Sequence, residues 1–134
     1  MSQINWPEVN ILVAEDEEDL REILVNVFEC EGSKVHSAKD GVEAVEIMKK
    51  HPIDVVISDI RMPKCDGIQL LEKIRAKNPD VPIVFLATGF SDINEKQAKE
   101  KGAASLIYKP YTIQDLFAVL EENLSHNEKF IRVS

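Results

Sequence analysis

Apolar positions along the chain alternate between two rhythms. A short, nearly unbroken apolar run from Val9 to Ala14 is followed by Leu20, Ile23, Leu24, Val27 and Phe28, spaced i, i+3, i+4, i+7 and i+8 and stopped by Gly32. The first pattern predicts a buried strand and the second an amphipathic helix. The alternation then repeats: a strand over Lys34 to Ala38, and a helix that Asp40 caps, carrying Val42, Val45 and Met48 as far as His51-Pro52. A third strand over Asp54 to Ser58 leads through "DIRMPKCDG" to a helix with Ile68, Leu71 and Ile74, ending near Asn78-Pro79. The fourth strand, Val81 to Thr88, precedes a helix over Asp92 to Lys101 whose only apolar stripe is Ile93 and Ala98, which predicts loose packing and an adjustable element. After Gly102 comes a fifth strand, Ala104 to Tyr108, then Lys109-Pro110 and a last helix with Ile113, Leu116, Phe117, Leu120 and Leu124.

Strands with continuous apolar runs, each followed by a helix, predict a parallel sheet covered on both faces, because a crossover helix is what joins parallel neighbours. The expected fold is a three-layer α/β sandwich around a five-stranded parallel sheet. The expected boundaries are an N-terminal extension over 1–8, one domain over 9–124 and a polar tail, SHNEKFIRVS, over 125–134. The tail is expected to be disordered, with Phe130 and Ile131 as the residues that would dock if it were not. Trp6 is expected to cover a sheet edge or one end of the core.

In sheets of this kind, ligands bind beyond the carboxyl ends of the strands, where strand order reverses. Glu15 and Asp16 follow the first strand, Asp59 the third, Thr88 the fourth and Lys109 the fifth. Each alone has an ordinary reading: an acidic helix start, a turn former, a surface hydroxyl, a surface amine. Together at the ends of one sheet they describe a site. Clustered carboxylates would take up a proton unless a cation compensates, and Mg2+ suits such a cluster, binding through one or two carboxylates and leaving room for a phosphate oxygen. A carboxylate held beside a divalent cation and a lysine is suited to receive a phosphoryl group, with Asp59 as nucleophile, Lys109 as second positive charge and Thr88 as hydrogen-bond donor.

Composition narrows the class of partner. The 134 residues hold 24 acidic and 16 basic side chains, a net charge of −8, which disfavours a nucleic-acid or anionic-membrane surface. The two cysteines, Cys30 and Cys65, form no CxxC pair, and the first residues show no basic and apolar leader, so a cytoplasmic setting is expected. His36, His51 and His126 have no carboxylate or cysteine at ligand spacing and read as surface or structural residues. Cys65 reads as a small packing residue.

These motifs resemble the receiver domains of two-component response regulators over residues 9 to 124. "ILVAEDEEDLR" is similar to that family's opening strand and acid pair, "VVISDIRMPKCDG" to its phosphoacceptor strand and Met-Pro loop, and "GAASLIYKPY" to its Lys-Pro ending. The resemblance implies a flavodoxin-like sheet of order 2-1-3-4-5, phosphorylation of Asp59 by a histidine kinase or histidine phosphotransfer protein, and a downstream protein target. It further implies Mg2+ held by Glu15, Asp16, Asp59 and the Arg61 backbone carbonyl, Lys109 on the phosphoryl group, a cis Lys109-Pro110 bond, and no enzyme activity beyond assisting its own phosphorylation and slow dephosphorylation. Two positions depart from the pattern. Leu106 stands where the family usually has a switching aromatic, with Tyr108 nearby. Counting without gaps from Asp59 or Lys109 puts Ala87 at the switch hydroxyl, while "TGFSD" favours Thr88, the expectation adopted here.

Three other readings compete with this one. An aspartyl-phosphate phosphatase needs a second acid two residues beyond its nucleophile, where this chain has Arg61. A flavodoxin-like cofactor binder needs a phosphate cradle where this chain has the acidic EDEED. The serious alternative is a phosphorylation-independent protein-binding module of receiver fold.

Overall fold

In the computed structural model, residues 3–87 and 93–132 are described. Five strands, β1 (Asn10–Ala14), β2 (Lys34–Ala38), β3 (Val55–Asp59), β4 (Ile83–Ala87) and β5 (Ser105–Tyr108), form one parallel sheet in the order β2-β1-β3-β4-β5. They alternate with helices α1 (Glu18–Cys30), α2 (Gly41–Lys50), α3 (Gly67–Lys77), α4 (Glu95–Glu100) and α5 (Ile113–Leu124). This is the doubly covered sheet and the strand order expected.

The period of two along each strand divides the core. Ile11, Val13, Val55, Ile57, Val84 and Leu86 face Leu24 and Phe28 of α1 and Leu116, Leu120 and Leu124 of α5. Leu12, Ala14, Val56, Phe85 and Leu106 face Ala44 of α2, Leu70, Leu71 and Ile74 of α3, and Ala98 of α4. Each apolar layer excludes water from one side of the sheet, so strands this short are held by both faces at once.

Helix ends follow local chemistry. Asp40 caps α2 by accepting the Glu43 amide at 2.8 Å, and reciprocal capping boxes open α3 (Asp66 with Gln69), α4 (Asn94 with Gln97) and α5 (Thr112 with Asp115). Helix α4 is shorter than its expected span. It begins after Asn94, because that side chain takes up the free amide of the first turn, and Asp92 lies outside the described residues.

Three expectations are corrected. Ile23, placed on the buried stripe of α1, is 52% exposed, because the helix buries the i, i+4 ridge of Leu24 and Phe28 instead. Val42 is likewise 46% exposed; α2 turns Gly41 and Ala44 inward instead. The described part of the tail, as far as Arg132, is folded against the domain. A turn at Glu128–Phe130 buries Phe130, Ile131 bridges Ile4 in antiparallel fashion, and Asn5 and Arg132 donate amides to the Phe130 and Gln3 carbonyls at 2.6 and 2.8 Å. The two ends of the chain thus close the core beside β1. Trp6 is fully buried there, its ring 5.9 Å from Phe28 and 5.2 Å, edge-on, from Phe117. No helix among the described residues is long and apolar enough to cross a membrane.

Candidate functional site

The sheet register builds the site. Ala14 of β1 pairs with Ser58 of β3, so the next residues, Glu15 and Asp59, the latter the last residue of β3, come to the end of the sheet side by side where strand order reverses. Ala87 of β4 pairs with Tyr108 of β5, and the Lys109 amide continues the ladder to the Ala87 carbonyl at 2.6 Å. The Lys109-Pro110 bond is cis. Four rigid strand ends therefore converge on one edge, and side chains rooted there inherit the precision of the sheet.

Each carboxylate is held differently. Glu15 is 1% exposed; its Oε2 accepts the Glu17 amide at 3.2 Å, while Oε1 is buried with no hydrogen-bond partner among the described residues and lies 3.5 Å from Lys109 Nζ. Asp59 receives the Ile60 amide on Oδ1 at 2.8 Å and turns Oδ2 toward Lys109 Nζ at 3.6 Å. Asp16 is exposed to solvent. The acidic turn is tied down by Arg21, which donates from Nη1 to the Glu15 carbonyl at 2.8 Å and more distantly, at 3.4 Å, to that of Asp16.

One carboxylate oxygen from each of Glu15, Asp16 and Asp59 lies within 4.8 Å of the other two. Ligands of an octahedral Mg2+, at bonds of about 2.1 Å, sit about 3.0 Å apart when adjacent and about 4.2 Å when opposite, so the three carboxylates could hold a small hard cation by drawing in around it. The donor set is all oxygen, and Glu15 Oε1, buried with only the Lys109 ammonium near it and no hydrogen-bond donor among the described residues, is an acceptor a cation could use. Without such an ion the cluster shares its charge through a proton: burial, then repulsion from Asp59, pushes the Glu15 carboxyl up to about 7, against the opposing pull of the Glu17 amide and Lys109.

Thr88, the expected hydroxyl of the site, lies outside the described residues, as does Phe90. Ala87 ends β4 and is buried. Leu106 is buried against Phe85 on its sheet face, whereas Tyr108, two residues on, is 43% exposed. Arg61 is exposed on the loop after β3.

Two site residues escaped sequence reasoning. Arg21 stands within the quoted acidic motif, five positions past Asp16, but only the folded turn shows that it gathers two carbonyls. Tyr111 buries a hydroxyl with no hydrogen-bond partner among the described residues, and burial together with the charges of Glu15 and Asp59 raises its pKa. The signal was the aromatic directly after Lys109-Pro110, which nothing in the sequence orients toward the acids.

Comparison with known proteins agrees with the fold. The family model for the response regulator receiver domain matches residues 11–121. The transcriptional regulatory protein PdtaR of Mycobacterium tuberculosis is 38% identical over 83% of this chain and 54% of its own length. The probable transcriptional regulator ycf27 of Porphyridium aerugineum is 38% identical over 89% of this chain and 49% of its own. The chain spans about half or less of the length of such curated relatives. Among solved structures, a response regulator receiver domain protein from Clostridium thermocellum superposes with a TM-score of 0.82 at 29% identity, covering 88% of this chain and 95% of that one. By sequence and by architecture, this chain belongs to the response regulator receiver domain family and is a receiver of two-component signalling.

Proposed function

We propose that the chain is a phosphorylation-dependent switch in which Asp59 accepts a phosphoryl group from a phosphohistidine on a histidine kinase or histidine phosphotransfer protein. The observation that carries this reading is the position of Asp59: a carboxylate on a stiff strand end, one oxygen anchored by an amide and the other facing Lys109, with two further acids beside it. A carboxylate oxygen of Asp59 attacks phosphorus, the phosphorus–nitrogen bond to histidine breaks, and an acyl phosphate forms while the imidazole leaves with the electron pair. Lys109, already between Glu15 and Asp59, is placed to follow the phosphoryl oxygens and balance their charge. Thr88 is assigned the hydrogen bond to the transferred group.

Mg2+ would be held by Asp16, Asp59, Glu15 and the Arg61 backbone carbonyl, and when bound it supplies positive charge against the transferring oxygens. Glu15 must lose its proton for this, so cation binding and proton release are coupled. The phosphorylated form shifts an existing equilibrium of the molecule toward the state read by a downstream protein. The protein is then a cytoplasmic phosphoacceptor, with no catalysis beyond assisting its own phosphorylation and the slow hydrolysis of the acyl phosphate. The domain proper is taken as residues 9–124, flanked by segments 1–8 and 125–134.

Transfer from a radiolabelled phosphohistidine donor protein tests the reading. Label is expected on the wild-type chain with Mg2+, and not with EDTA or on Asp59→Asn. A chain that binds its partner equally well as wild type and as Asp59→Asn, and takes no label from any histidine donor, would instead be the phosphorylation-independent binding module.

A further inference from the structure

The loop from β3 to α3 is pinned at two points, and neither pin leaves room for a side chain. Gly67 donates its amide to the Ile60 carbonyl at 2.7 Å, and a Cβ on Gly67 would fall 2.4 Å from the Asp59 carbonyl oxygen. That pin is local to the strand and helix flanking the loop. The other comes from outside: Gly41, the first residue of α2, donates its amide to the Cys65 carbonyl at 3.0 Å, and a Cβ on Gly41 would fall 2.3 Å from that oxygen and 2.6 Å from Cys65 Sγ. Side chains do not approach backbone oxygen below 3.0 Å, so only glycine permits this contact.

Neighbouring groups reinforce the second pin. Cys65 is buried, and its amide closes a tight turn on the Pro63 carbonyl at 2.7 Å. Lys64 adopts a left-handed backbone (φ 66°) and brings Nζ to 3.8 Å from Oδ2 of the buried Asp40, the residue that caps α2. A non-glycine residue holds that conformation only where its surroundings impose it. An element that contributes no residue to the acid cluster thus grips the loop beyond the phosphoacceptor.

Arg61 lies between the two pins, and its contribution to the proposed cation site is a backbone carbonyl. A side-chain ligand can adjust by rotation; a carbonyl goes where the loop carries it. We infer that Gly41 is a positioning residue of the cation site, fixing through Cys65 the path of the loop that presents the Arg61 carbonyl. The inference rests on the metal site proposed above. Partners that orient a ligand from behind typically govern metal affinity by 10- to 100-fold, and a loop held in place before the ion arrives spares the ordering cost of binding.

Mg2+ titration of the full chain, followed by backbone amide NMR, tests it. Gly41→Ala is expected to weaken Mg2+ binding about tenfold or more. Gly102→Ala serves as the control for general destabilisation: its Cβ would strain a φ of +107° and press on Arg75 at 3.2 Å, away from the loop, and should leave Mg2+ affinity unchanged. Unchanged affinity in folded Gly41→Ala, or an equal loss in Gly102→Ala, overturns the inference. Thermodynamic reciprocity gives a second reading on the unmutated chain, since a clip that favours the metal must be favoured by it. Exchange of the Gly41 amide is expected to slow on Mg2+ saturation more than that of the Gly102 amide, which is bonded to the Lys99 carbonyl. Equal slowing at both, or none at Gly41, overturns the inference even if Gly41→Ala fails to fold. An unmutated chain that binds no Mg2+ overturns the metal site and the clip together, and is told apart by needing no variant.

Discussion

Glu15 is the residue at which charge, burial and proposed metal binding meet. Its carboxyl titrates near 7 in the folded chain against 4.5 as its ordinary value. Between those values the folded chain holds a proton that the unfolded chain has released, so stability falls as pH rises through this window, by something on the order of 3 kcal/mol. Urea denaturation in EDTA should therefore show a chain more stable at pH 5 than at pH 8. Glu15→Gln should flatten that slope, and Mg2+ should restore stability at pH 8 by favouring the charged carboxylate. A slope unchanged in Glu15→Gln would assign it to other groups. Lys109 pulls the other way on the same carboxyl. Lys109→Met should push the Glu15 titration higher still, as read from its side-chain carboxyl carbon by NMR; a downward move would contradict the geometry.

At the scale of elements, what the sequence made legible was whatever depends on neighbours along the chain. Strand and helix order, the caps at Asp40 and the stops at Gly32 and Gly102 all follow from local periodicity and backbone chemistry. The site was legible for a related reason: a parallel sheet gathers its strand ends whatever the loops do, so strand-end acids must meet. The burial of individual helix positions was less so, because Ile23 and Leu24 are equally apolar and only the angle at which α1 lies on the sheet separates them. Contacts between distant backbone segments, such as Gly41 with Cys65, and the ring stack of His36 on His51 at 4.2 Å leave no periodic trace. Element ends allow a direct check. Thr112 accepts the Asp115 amide at 3.0 Å and opens α5 just beyond Lys109-Pro110. Thr112→Ala should cost about 1 kcal/mol in urea denaturation, whereas no loss would mean that packing alone holds the helix start.

The molecule as a whole is organised by its two ends. The acid cluster sits beyond the carboxyl ends of the strands, while the two termini are joined near their amino ends, where Lys129 reaches Asp54 at 3.9 Å and Phe130 closes over the Trp6 cluster. The polar tail hid this role because Phe130 finds its partners across the whole length of the chain. Phe130→Ala should cost about 3 kcal/mol, and the emission of the single tryptophan, Trp6, should shift to the red as water reaches it. Full stability and unchanged emission would mean that the tail lies idle on the surface.

Asp59 is the proposed destination of the phosphoryl group. Intact-protein mass spectrometry after incubation with Mg2+ and acetyl phosphate, a small donor that needs no partner protein, shows whether the group goes there. Wild type should gain the mass of one phosphoryl group, lose it on standing as the acyl phosphate hydrolyses, and gain none in EDTA, while Asp59→Asn should gain none at all. A wild-type chain that gains nothing, or an Asp59→Asn chain that is modified equally, would mean that Asp59 is not the phosphoacceptor.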